Sequence, residues 1–350
     1  MRVIKRRPHA GYGPGIVKFW CCSVLALTAF GGALIAQGTR TAPPRLELTD
    51  PACQTAQLVS TGGQFPTDPH TLAVRWTGYS NFELAYDGHV LLLDAYFDRG
   101  SLYPPLGFKA ADIRKADVIL IGHGHFDHMS DAASVGARTG AVVVGAPLTI
   151  ARLERQSIDG RQLRTVSGRG GELLRFDGFT VEPILARHGE PPADVTSAFG
   201  NALSSSVPAP TPEQRAEQAA ISARGTSDPR VITEGTLAYL ITLDSGFRIL
   251  YRDSGGKVTD LEKAAAQRVG QVDLALAATS ASFVTRLIVD QALEYVRTYH
   301  PRVFIPAHHD AASNALWRPT EPIFQAIKDE VPGIVTISKG YREPTCFVTR

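Results

Sequence analysis

The run Ile121-Gly122-His123-Gly124-His125-Phe126-Asp127-His128 places three histidines and an aspartate within six residues, in a chain with ten histidines in all. Imidazole is largely neutral near neutral pH and offers a nitrogen lone pair, which makes it the commonest protein metal ligand. A helix would send His123 and His125 to different sides, whereas an extended stretch puts residues two apart on one face. Gly122 and Gly124 permit a tight backbone, so that neighbouring side chains can converge on one point. A solvated loop with chance histidines is the plain alternative. Just upstream, Asp117-Val118-Ile119-Leu120-Ile121 reads as a short buried strand, and α/β proteins commonly place their sites at the carboxyl ends of core strands.

A metal site needs more than one loop, so the other histidines and acids are the test. His188 follows the strand-like Phe179–Leu185 segment. Asp253 follows Phe247-Arg248-Ile249-Leu250-Tyr251, and His308 follows Val303-Phe304-Ile305-Pro306. Each stands just past an apolar run, as the first cluster does. Taken singly, each reads more readily as a structural or surface residue; together they make a coherent ligand set.

The order HxHxDH, then His, then Asp, then His resembles the metallo-β-lactamase superfamily. Residues 74–84 and 90–94 look like that family's opening hairpin, and the resemblance spans residues 72–338. Its flavour is similar to the branch holding ascorbate-phosphate lactonase and the phospholipase D that acts on N-acyl ethanolamine lipids. The resemblance implies an α/β fold of four layers, an αββα sandwich. It also implies that His123, His125 and His188 form a three-histidine site, that Asp127, His128 and His308 form a second, and that Asp253 bridges the two. Two divalent metal ions are the implied cofactors. A nitrogen- and oxygen-rich set without thiolate suits Zn2+, with Mn2+ or Fe as alternatives. The activity implied is hydrolysis of an ester, lactone, amide or phosphodiester bond by a metal-bound hydroxide, with Asp127 orienting it or passing a proton. A non-catalytic, metal-stabilised binding protein and a di-iron redox protein of the same fold are the competing readings.

Some positions depart from the family pattern. Arg252 stands where relatives often carry Gly, and is expected either to hold a substrate anion or to point into solvent. Tyr79 lies near a place where relatives often have His, so a phenol replaces an imidazole at the pocket rim. His309 is expected outside the ligand set, in a supporting or surface position, and Asp94 is expected to brace the histidine loop.

With 350 residues, 44% hydrophobic and 20% charged, the chain can bury a sizeable core in one large domain. Helix-like segments at Asp260 to Arg268 and Thr285 to Tyr299 alternate with strand-like ones, which argues for α/β layers. Residues 1–38 read as a signal peptide or an N-terminal membrane anchor, because basic residues precede an uncharged apolar stretch. The expected location is therefore exported, periplasmic or secreted, with membrane contact through that segment. Without residues 1–36, 31 basic residues face 34 acidic ones, a net charge of −3 that gives no basis for nucleic-acid binding. A small-molecule or lipid-like substrate is expected instead, and the oligomeric state is left open. A lead-in occupies residues 39–70, and the domain occupies residues 71–350 with an insertion at 189–230. Within the insertion, Glu213 to Ala223 reads as a helix capped near Thr211. The insertion is either a tolerated surface loop, or a substrate lid or membrane-facing flap. Outside the targeting segment only Cys53 and Cys346 remain. An oxidising compartment favours their pairing, with Cα atoms within about 7 Å.

Overall fold

The computed structural model describes residues 42–190, 209–279, 285–310 and 319–350. The expected targeting segment at 1–38 lies outside the described residues, as does much of the first half of the insertion. The strands are β1 (Thr71–Trp76), β2 (Phe82–Tyr86), β3 (His89–Leu93), β4 (Val118–Leu120), β5 (Val142–Gly145) and β6 (Leu163–Thr165), then β7 (Leu174–Phe176), β8 (Phe179–Leu185), β9 (Leu237–Leu243), β10 (Arg248–Arg252), β11 (Leu274–Ala278), β12 (Val303–Ala307), β13 (Val335–Thr336) and β14 (Pro344–Val348).

They form two seven-stranded sheets. The first runs β14-β1-β2-β3-β4-β5-β6 and the second β13-β12-β11-β10-β9-β8-β7. Both follow one plan. Pairing is antiparallel through β14-β1-β2-β3 and through β7-β8-β9-β10, then parallel from β3 to β6 and from β10 to β13. Parallel strands need a crossover, and helices supply it.

Side-chain alternation sorts the layers. Leu72, Val74 and Trp76 of β1 face inward with Leu91, Tyr239, Ile249 and Phe347, and fill the space between the sheets. Ala73, Val90, Leu92 and Ile119 point the other way, under a helical layer carrying Met129, Val135 and Ile150. On the far side, Leu240, Leu250 and Ala275 meet Leu293, Val296 and Ile327. The result is the expected four-layer αββα sandwich. The helices also fall where the sequence puts them, at Asp260–Val269, Thr285–Tyr299 and Pro212–Ser222. The last is closed by a reciprocal cap between Thr211 and Gln214, which satisfies two orphan amide groups.

The lead-in is stitched to the sheet's edge. Leu46 bridges to Phe347 of β14, and Cys53 and Cys346 stand at disulfide geometry with Cα atoms 5.9 Å apart.

Candidate metal centre

All seven expected ligands meet at one end of the sandwich. His123, His125, Asp127 and His128 come from the loop after β4 and the short helix Phe126–Met129. His188, Asp253 and His308 follow β8, β10 and β12 of the opposite sheet. The site therefore lies on the seam between the two sheets.

Three overlapping trios bring ligand atoms within 4.8 Å of one another: His123, His125 and His188; His123, His128 and Asp253; Asp127, His128 and His308. In the first, His123 Nε2 is 3.0 Å from His125 Nδ1. In the last, an Asp127 oxygen is 3.5 Å from Nε2 of both His128 and His308. Asp253 sits between them, 2.6 Å from His123 Nδ1 and 3.3 Å from His128 Nδ1. Its other carboxylate oxygen and His188 Nδ1 are buried with no hydrogen-bond partner among the described residues. Buried polar atoms left so usually mark an ion or water that belongs there.

Electrostatics point the same way. Burial, reinforced by the neighbouring histidines, pulls His123 well below the usual imidazole range, and brings His188 down to about 3. His125 is lowered by burial too. Neutral imidazole is the form that ligates. At His128 burial works in the same direction, but Asp127, Asp94 and Asp253 surround the ring and hold its pKa well above that range. A proton kept by three carboxylates is one that a divalent cation would displace. The donor set therefore fits a metal.

The glycines work by what they lack. Neither Gly122 nor Gly124 has positive φ, so conformational freedom is not what the loop uses. A Cβ on Gly122 would lie 2.0 Å from the Asp253 carboxyl carbon, and one on Gly124 2.7 Å from a Thr226 methyl. The histidine loop can approach the Asp253 carboxylate only without a side chain at Gly122, and Thr226 only without one at Gly124.

Asp94 braces the loop as expected. One oxygen accepts Gly122 N–H at 2.9 Å; the other lies 2.6 Å from His128 Nδ1 and accepts Ser80 Oγ–H at 2.7 Å. This fixes His128 with Nε2 toward Asp127 and His308. Six described non-glycine residues have positive φ, and Tyr79, Asp94 and His308 among them surround the site. Strained backbone of this kind persists where the surroundings enforce it, and it clusters at functional sites. At Tyr79 the enforcement is visible: its N–H donates to Asp310 at 2.8 Å, and its carbonyl accepts from His308 N–H at 2.7 Å. Its ring lies against the His308 imidazole, centroids 4.6 Å apart.

One expectation needs correction, and another is narrowed. Arg252 neither reaches solvent nor faces a substrate; it is fully buried and paired with Glu262 at 2.8 Å. Burying a guanidinium is costly without such a partner. His309 is not on the surface but buried, stacked on Trp76 at 4.3 Å. Sequence reasoning also passed over Ser80, Glu262 and Asp310. Only Glu262 left a signal, as the fourth residue of the Thr259-x-x-Glu capping pattern.

The described half of the insertion closes one flank. Ile221 packs with Tyr79 and Tyr96, Arg224 pairs with Asp131 at 3.0 Å, and Thr226 N–H donates to the Gly124 carbonyl at 2.7 Å. This half is part of the site's wall.

A family model described as a beta-lactamase superfamily domain matches residues 89–216. A metal-dependent hydrolase of Polynucleobacter asymbioticus is 24% identical over 87% of this chain and 92% of its own length. One from Methanopyrus kandleri is 26% identical over 33% and 47%, respectively. The chain spans about half the length of several other curated relatives that it matches. Among solved structures, a metallo hydrolase from Ignicoccus hospitalis superposes with a TM-score of 0.56 at 16% identity, over 79% of this chain and 98% of that one. Over residues 89–216 the chain is thus similar to the metallo-β-lactamase superfamily, and its fold is that of a solved metallo hydrolase.

Proposed function

We propose that this protein is a binuclear metal-dependent hydrolase, with zinc the favoured metal, that cleaves an ester, lactone, amide or phosphodiester bond in a small-molecule or lipid-like substrate. The observation that carries the reading is the three overlapping ligand trios converging on one seam. Two bound cations would supply Lewis acidity and lower the pKa of a water held at the site.

The chain's own residues have distinct parts. His123, His125 and His188 would hold one cation, and Asp127, His128 and His308 the other, with the fully buried Asp253 between. Asp127 is the carboxylate a substrate can reach, its side chain 19% exposed against 0% for Asp253. It is thus the group placed to accept a proton from the attacking water and return it to the leaving group. Burial raises the Tyr79 phenol well above its ordinary range, so it stays protonated beside His308 and can donate a hydrogen bond.

Elemental analysis after reconstitution should find about two divalent ions per chain, and a panel of lactones, phosphodiesters and β-lactams should reveal turnover that chelation abolishes. Protein that takes up no metal would end this reading.

We further propose an exported location. The Cys53–Cys346 pair supports it, since such bonds persist in oxidising compartments. Among the described residues no helix is long and apolar enough to cross a membrane. Cell fractionation with thiol labelling tests this: protein recovered in the cytoplasmic fraction with both thiols reactive would count against it.

A further inference from the structure

We propose that the buried cluster Arg252–Glu262–Tyr295 is a positioning device for the metal centre, holding the His188 and Asp253 loops at a fixed separation. The proposal rests on the metal-centre reading above.

His188 and Asp253 follow β8 and β10, which do not touch; β9 lies between them. Two strand spacings amount to about 10 Å, so the loops must lean together beyond the strand ends, where no ladder holds them. Arg252, the last residue of β10, spans that gap. Its Nη1 donates to the carbonyl of Ser254 at 2.5 Å, immediately after Asp253. Its Nη2 donates to the carbonyl of Arg187 at 3.3 Å, immediately before His188, and to that of Lys257 at 3.2 Å. One planar guanidinium thus grips the backbone beside both ligands.

The rest of the cluster holds the grip. Arg252 Nε donates to Glu262 at 2.8 Å, and its guanidinium carbon lies 4.6 Å from the Tyr295 ring centre. The Tyr295 hydroxyl donates to the carbonyl of Gly256 at 2.9 Å. Glu262 accepts Thr259 N–H at 2.9 Å, and Thr259 Oγ donates to the carbonyl of Leu185 at the end of β8. The circuit therefore closes from β8 back to β10. Two further contacts join the loops directly. Gly189 N–H donates to Ser254 Oγ at 3.1 Å, and a Cβ on Gly256 would lie 2.0 Å from the Arg187 carbonyl oxygen.

An ion pair serving stability alone would not need this geometry, because apolar residues of similar volume replace such pairs at little or no loss. A planar fork with several donors is what simultaneous carbonyl binding requires, and lysine does not supply it.

The test is the double variant Arg252→Met with Glu262→Gln, beside the single variant Arg252→Lys. The double variant leaves no buried charge unpaired, and glutamine retains the cap at Thr259. Arg252→Lys keeps the ion pair and loses the fork. Zinc affinity is read by chelator competition and metal-free stability by thermal melting. We expect both variants to bind zinc about 10- to 100-fold more weakly, the usual effect of losing a supporting contact, with a metal-free melting temperature in Arg252→Lys near that of the unaltered protein. Unaltered zinc affinity in either folded variant would overturn the proposal. If the unaltered protein itself takes up no zinc, the metal-centre reading fails and takes this one with it. Should the double variant not fold, Arg252→Lys alone decides.

Discussion

At the residue scale, each candidate ligand lies in the segment that follows an apolar strand, so its position is written in local sequence. What is not local is the partner. Among the described residues, Asp253 is the carboxylate that contacts both His123 and His128, histidines that between them take part in all three ligand trios. Asp253→Asn should therefore lower activity by more than about 100-fold, beyond what losing a mere supporting contact costs, and should release metal measurable by elemental analysis. His309→Gln should leave both ions in place and cost about 1 kcal/mol of stability through the lost Trp76 stack, as read by denaturant titration. A pH dependence follows from the depressed imidazoles. In the unfolded chain His188 takes a proton near 6.5, whereas in the fold it does so only near about 3. Below 6.5 the unfolded state binds more protons, so the metal-free protein should lose stability as pH falls from 6.5 toward 3. Melting curves over that range check it, and a flat profile would contradict the buried neutral state. The ligand order was legible because HxHxDH and the strand-end residues are linear signals. The burial of Arg252 was not, because its counter-ion arrives from a helix whose cap alone could be read.

At the level of elements, the strands at residues 179–185 and 303–307 and the helices at 260–269 and 285–299 follow from alternating or apolar runs and from 3.6-residue periodicity. The pairing order did not follow, since β14 joins β1 from the far end of the domain and nothing in either strand names its partner. The insertion was ambiguous for a similar reason. Its helix is visible in the Thr211 cap, yet whether that helix faces solvent or the site depends on where Ile221 lands. It lands on Tyr79 and Tyr96. Ile221→Ala should cost about 2 kcal/mol or more by leaving a cavity, and should change KM across a substrate panel while two ions stay bound. Unchanged kinetics with the same loss of stability would make the helix packing only.

At the scale of the molecule, the centre joins elements from both sheets, so bound metal ties the two halves together and should raise the melting temperature with metal concentration. The Cys53–Cys346 link acts at the opposite scale of sequence, closing a separation of 293 residues. Reducing it should lower unfolding free energy by up to about 6 kcal/mol in the chain-entropy picture, checked by denaturant titration with and without reductant. Equal midpoints would show that the link adds nothing. The pairing of β1 with β14 has a consequence in time as well. A sheet whose first strand waits for residues 344–348 cannot close while those residues are still being made, and contacts so distant in sequence form slowly. Until then β1 carries an open row of amides and carbonyls on one side, a template for wrong partners. On that edge of the first sheet the hazard is therefore confined to one interval. A chaperone that covers residues 71–76 for that interval should raise the yield of folded protein, as read by refolding with and without it.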